Sequence, residues 1–395
     1  MRRCILVIAA FAVLTCVAPA KARPEFTDAE RRRILAHGPW PLPVPRDPSN
    51  RVSGKPEAIA LGERLFFDRR LSSTGAMACD WCHTPSLDWT DGFARGVGRQ
   101  TVDRNTLSLW NAGFGRWFGW SGAHDSLWAQ STRPLLDARE MDMSAPRVAE
   151  RVRGDPDLAC RFRQVFGQPP SAMHDEAVLV ATGKALAAFQ ETLVSGRTPF
   201  DAFRDALARN DTAAIAQYPA DARRGLKIFV GRGNCSLCHL GPLFSNGEFA
   251  DVGIPFFLPR GGVDPGRHDG IRQLRASPYN LLGPHNDDRS GAAAIRTRHV
   301  ELQHRNFGEF RVPSLRNVAR TAPYMHNGSL ATLRDVVRHY SELDEDRLHA
   351  DGERILKPLR LSDGEADDLI AFLNSLSDDG TPFIRRSTAT DPPCR

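Results

Sequence analysis

Two pentapeptides in this chain could do chemistry: Cys79-Asp80-Trp81-Cys82-His83 and Cys235-Ser236-Leu237-Cys238-His239. A Cys-x-x-Cys-His run is the attachment signature of a c-type haem. Its two thiols add across the porphyrin vinyl groups, and its His turns onto the haem face to ligate iron. One copy alone would also suit a zinc half-site or a redox dithiol. Two copies, each with the His attached, favour two covalently bound haems. What each haem does then depends on whether its other face is open to a substrate or closed by a side chain.

The elements that position these motifs repeat along the chain. Ala60-Leu61-Gly62-Glu63-Arg64-Leu65-Phe66-Phe67 precedes the first motif, and Arg224-Gly225-Leu226-Lys227-Ile228-Phe229-Val230 precedes the second. Each reads as a short helix with one apolar face, running into a loop that ends at the haem motif. Further helices are expected over Asp175–Leu193 and Asp363–Leu376. The second of these starts on Ser362-x-x-Glu365, a capping box, and puts Leu369, Ile370, Phe372, Leu373 and Leu376 on one face. Few segments alternate with period two, and a long Gly/Pro-rich loop is expected from Phe256 to Pro284. The fold class is therefore mainly α, with two tandem cytochrome c-like haem domains and long loops. The expected division is a signal peptide at 1–22, an N-terminal haem domain at 23–208, a C-terminal haem domain at 209–345, and a C-terminal helix and tail at 346–395.

The chain of 395 residues is long enough for two domains. Arg2 and Arg3, the apolar run Ile5–Val17 and then Ala20-Lys21-Ala22 read as a secretory signal. No later stretch is long and apolar enough to cross a bilayer. A soluble protein exported to the periplasm is expected, which suits haem attachment outside the cytoplasm. Removing Arg2, Arg3 and Lys21 takes three units off the formal charge of +5, so nothing argues for a nucleic acid or an anionic membrane as partner. Of the eight Cys, two lie in the signal and four in the haem motifs. Cys160 and Cys394 remain, either as a disulfide in an oxidising compartment or as two free thiols.

Around Trp120 the chain reads Asn105-Thr106-Leu107 … Trp117-Phe118-Gly119-Trp120-Ser121-Gly122 … Gln130 … Arg133-Pro134 … Glu140-Met141, and later Val312-Pro313-Ser314-Leu315-Arg316-Asn317 … Thr321-Ala322-Pro323-Tyr324-Met325-His326-Asn327-Gly328. These stretches, within roughly residues 55–375, resemble the bacterial di-haem cytochrome c peroxidase and MauG superfamily. In that family a Trp lies between the haems, followed at fixed offsets by Gln, Pro and Glu. Here those positions are Trp120, Gln130, Pro134 and Glu140. The resemblance implies that Trp120 relays electrons between the haems. It implies that Glu140 moves a proton between the two oxygens of hydrogen peroxide, that Gln130 orients the peroxide, and that Pro134 limits the space over the iron. Taken singly, Gln130 and Glu140 would be ordinary helix-surface residues and Trp120 a core aromatic; the joint spacing separates them from that background. The resemblance also implies a calcium ion between the domains, held by the Asn105 amide and the carbonyls of Thr321 and Pro323, oxygen donors that suit a hard cation. Taken singly, Asn105 would be a plain turn residue.

Two departures from the ordinary peroxidase pattern point one way. Where those enzymes place a Met on the second haem, this chain has Tyr340, as MauG-type proteins do, and no Met follows Met325. A phenolate is hard and anionic and favours ferric and higher-valent iron. His339 is the competing ligand, and a second haem with no protein ligand on that face is the other alternative. Where they place a distal His on the first haem, this chain has Val97, so that haem is expected to be open without prior reduction. Gly38-Pro39-Trp40-Pro41 and Asp47-Pro48-Ser49-Asn50-Arg51 are similar to the branch containing MbnH, through general similarity rather than a site motif. That relative uses peroxide to oxidise a Trp of a partner copper-binding protein.

The reading these residues imply is a periplasmic di-haem oxidoreductase. Hydrogen peroxide reacts at the His83 haem, a high-valent, bis-Fe(IV)-like state spreads to the His239/Tyr340 haem, and a Trp or Tyr side chain of a partner protein is oxidised at long range. One alternative is peroxide reduction with a small cytochrome or cupredoxin as donor. Another is a di-haem electron carrier with no enzymatic activity.

Overall fold

The structure, a computed structural model, describes residues 25–255, 257–259, 261–345, 351–352, 355–380 and 394. The expected signal segment at 1–22 lies outside the described residues. Among these residues the helices are α1 (Asp28–Leu35), α2 (Pro56–Phe66), α3 (Leu127–Leu136), α4 (Ala145–Gly154), α5 (Pro156–Phe166), α6 (Asp175–Gln190), α7 (Pro199–Arg209), α8 (Thr212–Gln217), α9 (Ala220–Val230), α10 (Arg267–Ala276), α11 (Ile295–His299), α12 (Leu333–Glu342) and α13 (Asp363–Asn374). Two short strands, β1 (Phe249–Ala250) and β2 (Phe310–Arg311), pair antiparallel with Phe249 opposite Arg311. The fold is mainly α, as expected. The helix expected from Asp175 ends at Gln190, and the one from Asp363 starts on the anticipated Ser362/Glu365 capping box.

One pair of crossed helices underlies each haem motif. α2 crosses α6 where Gly62 meets the Ala185 carbonyl, and α9 crosses α13 where Gly225 meets the Asp368 carbonyl. A Cβ at either glycine would stand 1.9 Å from the facing oxygen. No other residue allows so close an approach. The repeat legible around Gly62 and Gly225 thus comes from a shared helix crossing.

Two cores result. The first packs Leu61, Leu65, Phe66, Trp89, Leu186 and Phe189. The second packs Phe200, Phe203, Leu226, Phe229, Phe244 and Phe372. Each fully buried Phe stabilises its core by roughly 1.5–3 kcal/mol. The second core also takes Ile34 from α1 and Phe200, Phe203 and Leu207 from α7, so chain that precedes residue 210 builds it. Arg316 makes two 3.0 Å bonds to Asp201 of α7, both side chains being buried, and lies 3.9 Å over the Trp40 ring. In the opposite direction Lys184 of α6 pairs with Asp287 at 2.6 Å. Arg320 reaches Asp88 and Asp378 together.

The segment Phe256–Pro284 is less irregular than its composition implies, because it contains α10. Gly266 caps the start of that helix and Pro278 follows its end. Only Ile271 and Leu274 supply a buried apolar stripe, too narrow to stand out among the surrounding arginines. Cys160 and Cys394 form a disulfide with Cα atoms 5.7 Å apart.

Candidate di-haem site

Each haem motif forms one turn of 3-10 helix, Cys79–Trp81 in the first half and Cys235–Leu237 in the second. The His that follows is held the same way twice. His83 Nδ1 lies 3.0 Å from the Trp89 carbonyl, and His239 Nδ1 lies 2.9 Å from the Phe244 carbonyl. Trp89 and Phe244 adopt left-handed backbone, at φ +61° and +52°. Bulky residues seldom do so, and the conformation costs on the order of 1–3 kcal/mol. Both rings are fully buried, which offsets that cost. The strained turn aims the carbonyl back at the imidazole. With Nδ1–H donated to it, Nε2 is the nitrogen that would ligate a metal; in this structure each ring also lies by a second backbone carbonyl, that of Leu107 at His83 and that of Pro313 at His239. Burial holds both imidazoles well below the usual histidine range, hence neutral.

Further chemistry at the two motifs fits haem. Burial pushes the Cys79, Cys82 and Cys235 thiols up to about 12, which keeps them as neutral thiols. Among the described residues no three His, Cys, Asp or Glu side chains converge on a metal-binding point. Cys79, Cys82 and His83 instead line a cavity of about 640 Å³, large enough for a cofactor. Both histidines keep part of their surface open although they lie inside the fold.

α3 forms one wall of that cavity. Ser126 caps it by accepting the Ala129 N–H, and Gln130 and Pro134 stand one turn apart on the same face. Pro134 has no N–H to give the Gln130 carbonyl, so the helix is weakened where it meets the cavity. The Gln130 Oε1 is buried with no protein partner. A small donor molecule in the cavity would satisfy it, as water or peroxide can. Glu140 also lines the cavity and accepts a bond from Arg133, which pairs with Asp137 at 2.9 Å as well. The stretch around Val97 is fastened to the same corner: Arg99 N–H donates to the Glu140 carbonyl at 3.2 Å and the Trp81 indole to the Val97 carbonyl at 2.8 Å.

Trp120 is held from both sides. Its indole N–H donates to the Asn105 carbonyl at 2.8 Å, and its own carbonyl accepts the Arg311 N–H at 2.8 Å. Its ring packs on Phe310 beside β2. The three residues named for calcium, Asn105, Thr321 and Pro323, line the same cavity, and the Asn105 amide nitrogen donates to the Phe93 carbonyl at 3.0 Å.

Tyr340 lies on α12, started by a Thr332/Asp335 capping box. Burial pushes its phenol up, and the adjacent sulfurs of Cys235 and Cys238 add to the shift. Its hydroxyl has no hydrogen-bond partner among the described residues. The neighbouring His339 points elsewhere, with Nε2 2.8 Å from the Val252 carbonyl. Consecutive helix positions face about 100° apart, so only one of the two can face the second motif.

The sequence did not single out Arg133, His124 or the two carbonyl donors at Trp89 and Phe244. Arg133 sits three residues after Gln130, a helical spacing that would have placed it at the cavity. His124 lines the cavity, and burial, reinforced by Arg133, drives its pKa down to about 3. The carbonyl roles depend on backbone angles that residue types do not announce.

Residues 56–209 match the family model of di-haem cytochrome c peroxidase. The chain is 36% identical to the methylamine utilization protein MauG of Methylorubrum extorquens over 93% of its own length and 91% of that protein's. It is 34% identical to the cytochrome-c peroxidase IdrP1 of Pseudomonas sp. strain SCT, over 89% and 87%. Its fold is similar to that of a MauG-like protein associated with microbial copper homeostasis, at TM-score 0.63 and 28% identity, covering 86% of this chain and 95% of that one. The di-haem peroxidase BthA of Burkholderia thailandensis shares the fold at TM-score 0.67 and 23% identity, over 88% and 92%. With both haem motifs built alike and these similarities running along nearly the whole chain, the protein belongs to the di-haem cytochrome c peroxidase and MauG family, oxidoreductases that carry two c-type haems and use hydrogen peroxide.

Proposed function

We propose that this enzyme uses peroxide to oxidise an aromatic side chain of a partner protein, in the manner of the MauG-like members. The observation that carries the reading is Tyr340, buried beside Cys235 and Cys238 with no hydrogen-bond partner for its hydroxyl among the described residues. In this reading Cys79, Cys82 and His83 hold one haem, and Cys235, Cys238, His239 and Tyr340 hold the other. The bound haems supply peroxide cleavage and store the two oxidising equivalents. Gln130 presents its free Oε1 to the proximal hydrogen of the peroxide, while Glu140 moves the proton between the peroxide oxygens, with Arg133 fixing its carboxylate. Pro134 keeps the space small, so that peroxide fits and bulkier reductants do not. Trp120, fastened to Asn105 and to Arg311, carries electrons between the halves.

Export to the periplasm through the 1–22 segment, and a calcium ion at Asn105, Thr321 and Pro323, belong to the same proposal. No described helix is long and apolar enough to cross a membrane. The substrate class is a partner protein presenting a Trp or Tyr. The similarity to a MauG-like protein associated with copper homeostasis makes a copper-binding protein the first partner to test.

The similarity to a cytochrome-c peroxidase favours one second reading, peroxide reduction with a small cytochrome or cupredoxin as donor. One experiment separates the two. Holoprotein is mixed with one equivalent of peroxide, and its oxidised spectrum is followed with and without a reduced small cytochrome. A long-lived oxidised state, little affected by the cytochrome, supports partner oxidation. Rapid multiple turnover with the cytochrome rejects it in favour of the second reading. Replacing Trp120 by Phe should slow transfer between the haems while both stay attached; equal rates would remove the relay.

A further inference from the structure

Trp120 is not the only tryptophan available to carry charge. Trp117 stands three residues earlier in the same loop, is buried, and lines the same cavity. A relay built of indoles has two candidates, yet a short route is useful only if the hole does not rest on the wrong ring. The surroundings of the two rings differ in charge.

Arg267, at the first position of α10, is 4% exposed and has no carboxylate within ion-pair distance among the described residues. Glu248 and Glu309 act on it only from beyond that distance, so the buried cation is incompletely offset, and the positive end of the helix dipole adds to the cost. Its guanidinium carbon lies 4.4 Å from the Trp117 ring centre and 4.0 Å from that of Phe249. Its Nη1 donates to the Gly122 carbonyl at 2.8 Å and approaches that of Ser121 at 3.3 Å, the two residues after Trp120. Arg311 adds a second guanidinium, 3.3 Å from the Trp117 carbonyl. Burial lowers both arginines only to about 10, so both stay charged at neutral pH. Among the described residues no cation lies over the Trp120 ring, whose N–H points at the Asn105 carbonyl instead. A cation over a neutral indole is attractive. Once that indole has lost an electron, the same contact is repulsive, and in a dry site the repulsion is large.

We propose that Arg267 is a positioning residue that selects the relay: it keeps the Trp117 ring reduced and fastens the loop that holds Trp120 in the path. The proposal rests on the reading of Trp120 as relay. It predicts which ring is damaged when peroxide is supplied without a partner. In that reaction a tryptophan ring gives up two electrons, water adds, and two protons leave. Hydrogen peroxide takes up the two electrons and two protons and becomes two waters. One peroxide and one tryptophan thus yield one hydroxytryptophan and one water.

The test is peptide mass mapping of holoprotein after peroxide treatment, scoring hydroxylation at Trp117 and Trp120. In Arg267→Gln the ratio of Trp117 to Trp120 product should rise about tenfold or more. In Arg267→Lys, which keeps the charge, it should stay within about twofold of the parent. An unchanged ratio in Arg267→Gln overturns the proposal. So does a tenfold rise in Arg267→Lys, because packing rather than charge would then protect Trp117. Trp117→Phe guards against a Gln variant that does not fold. Inter-haem transfer in it should match the parent, and a tenfold slowing would show that Trp117 is on the route. Failure of the relay reading itself appears separately, as normal inter-haem transfer in Trp120→Phe.

Discussion

In the first half, the carbonyl of Trp89 holds His83; in the second, the carbonyl of Phe244 holds His239, through the same left-handed turn and nearly the same distance. Beneath each lies a helix pair crossed at a glycine. In the other side chains around each motif the likeness ends. The first half sets Gln130, Glu140 and Arg133 around open space, whereas the second sets Tyr340 beside the two cysteines. Proximal sides this alike cannot make two haems different. On the function proposed above, the distinction between a reacting haem and a storing one would rest on these residues. A carbonyl is also a neutral acceptor, so neither His gains the anionic character that a carboxylate partner would give it.

The largest test of that contrast is Glu140→Gln. It should slow the reaction with peroxide about 10²–10⁴-fold, read by stopped-flow absorbance, and leave the second haem's spectrum as it was; a near-parental rate would strip Glu140 of its role. Asp201→Ala leaves buried Arg316 without a partner and should destabilise the second core by ~3–5 kcal/mol, measured by urea unfolding. Asp201→Ala combined with Arg316→Met should recover much of the loss. Tyr340→Met should raise the second haem's potential by on the order of 100 mV, in a spectroelectrochemical titration that leaves the first haem's potential in place. If neither moves, Tyr340 is not a ligand.

The smallest effect concerns the residues that end α6 and α13, Glu191 in the first half and Ser375 in the second. Burial raises the Glu191 carboxyl to about 7, against Ser53, which donates to it, while Ser375 pairs with Tyr218. The folded state therefore holds a proton that the unfolded chain has released between pH about 4.5 and 7. This contribution is complete below that window and is lost as pH rises through it. Glu191→Gln should abolish the decline and add ~1–3 kcal/mol at pH 8, seen in melts across pH. A decline that persists in the variant would assign it to another group.

The haem motifs and their lead-in helices are legible in the sequence because covalent attachment and a tight helix crossing fix residue types locally. Gln130 and Pro134 stand out only through their offsets from Trp120 in the family resemblance; their own types would pass for helix-surface residues. Arg267 is not legible, since nothing near it in sequence distinguishes a buried arginine from a solvated one; only Trp117 and Phe249, brought by other segments, do so. Nor is α10, whose apolar stripe is two residues wide. Not legible either is the contact of His339 with the Val252 carbonyl, 87 residues away in sequence, which turns that side chain to another partner.

The crossed ion pairs Lys184–Asp287 and Arg316–Asp201, with α1 and α7 embedded in the second core, bear on the history of such a duplicated chain. Two ancestral copies that had stayed modular could be separated by cutting the connection between them. Here each copy has lent the other part of its interior, and a cut at the Asn210–Asp211 turn would leave both pieces with buried charges unmatched. Replacing one half alone would strand buried charges and apolar faces of the other, so a change in either half is felt in both.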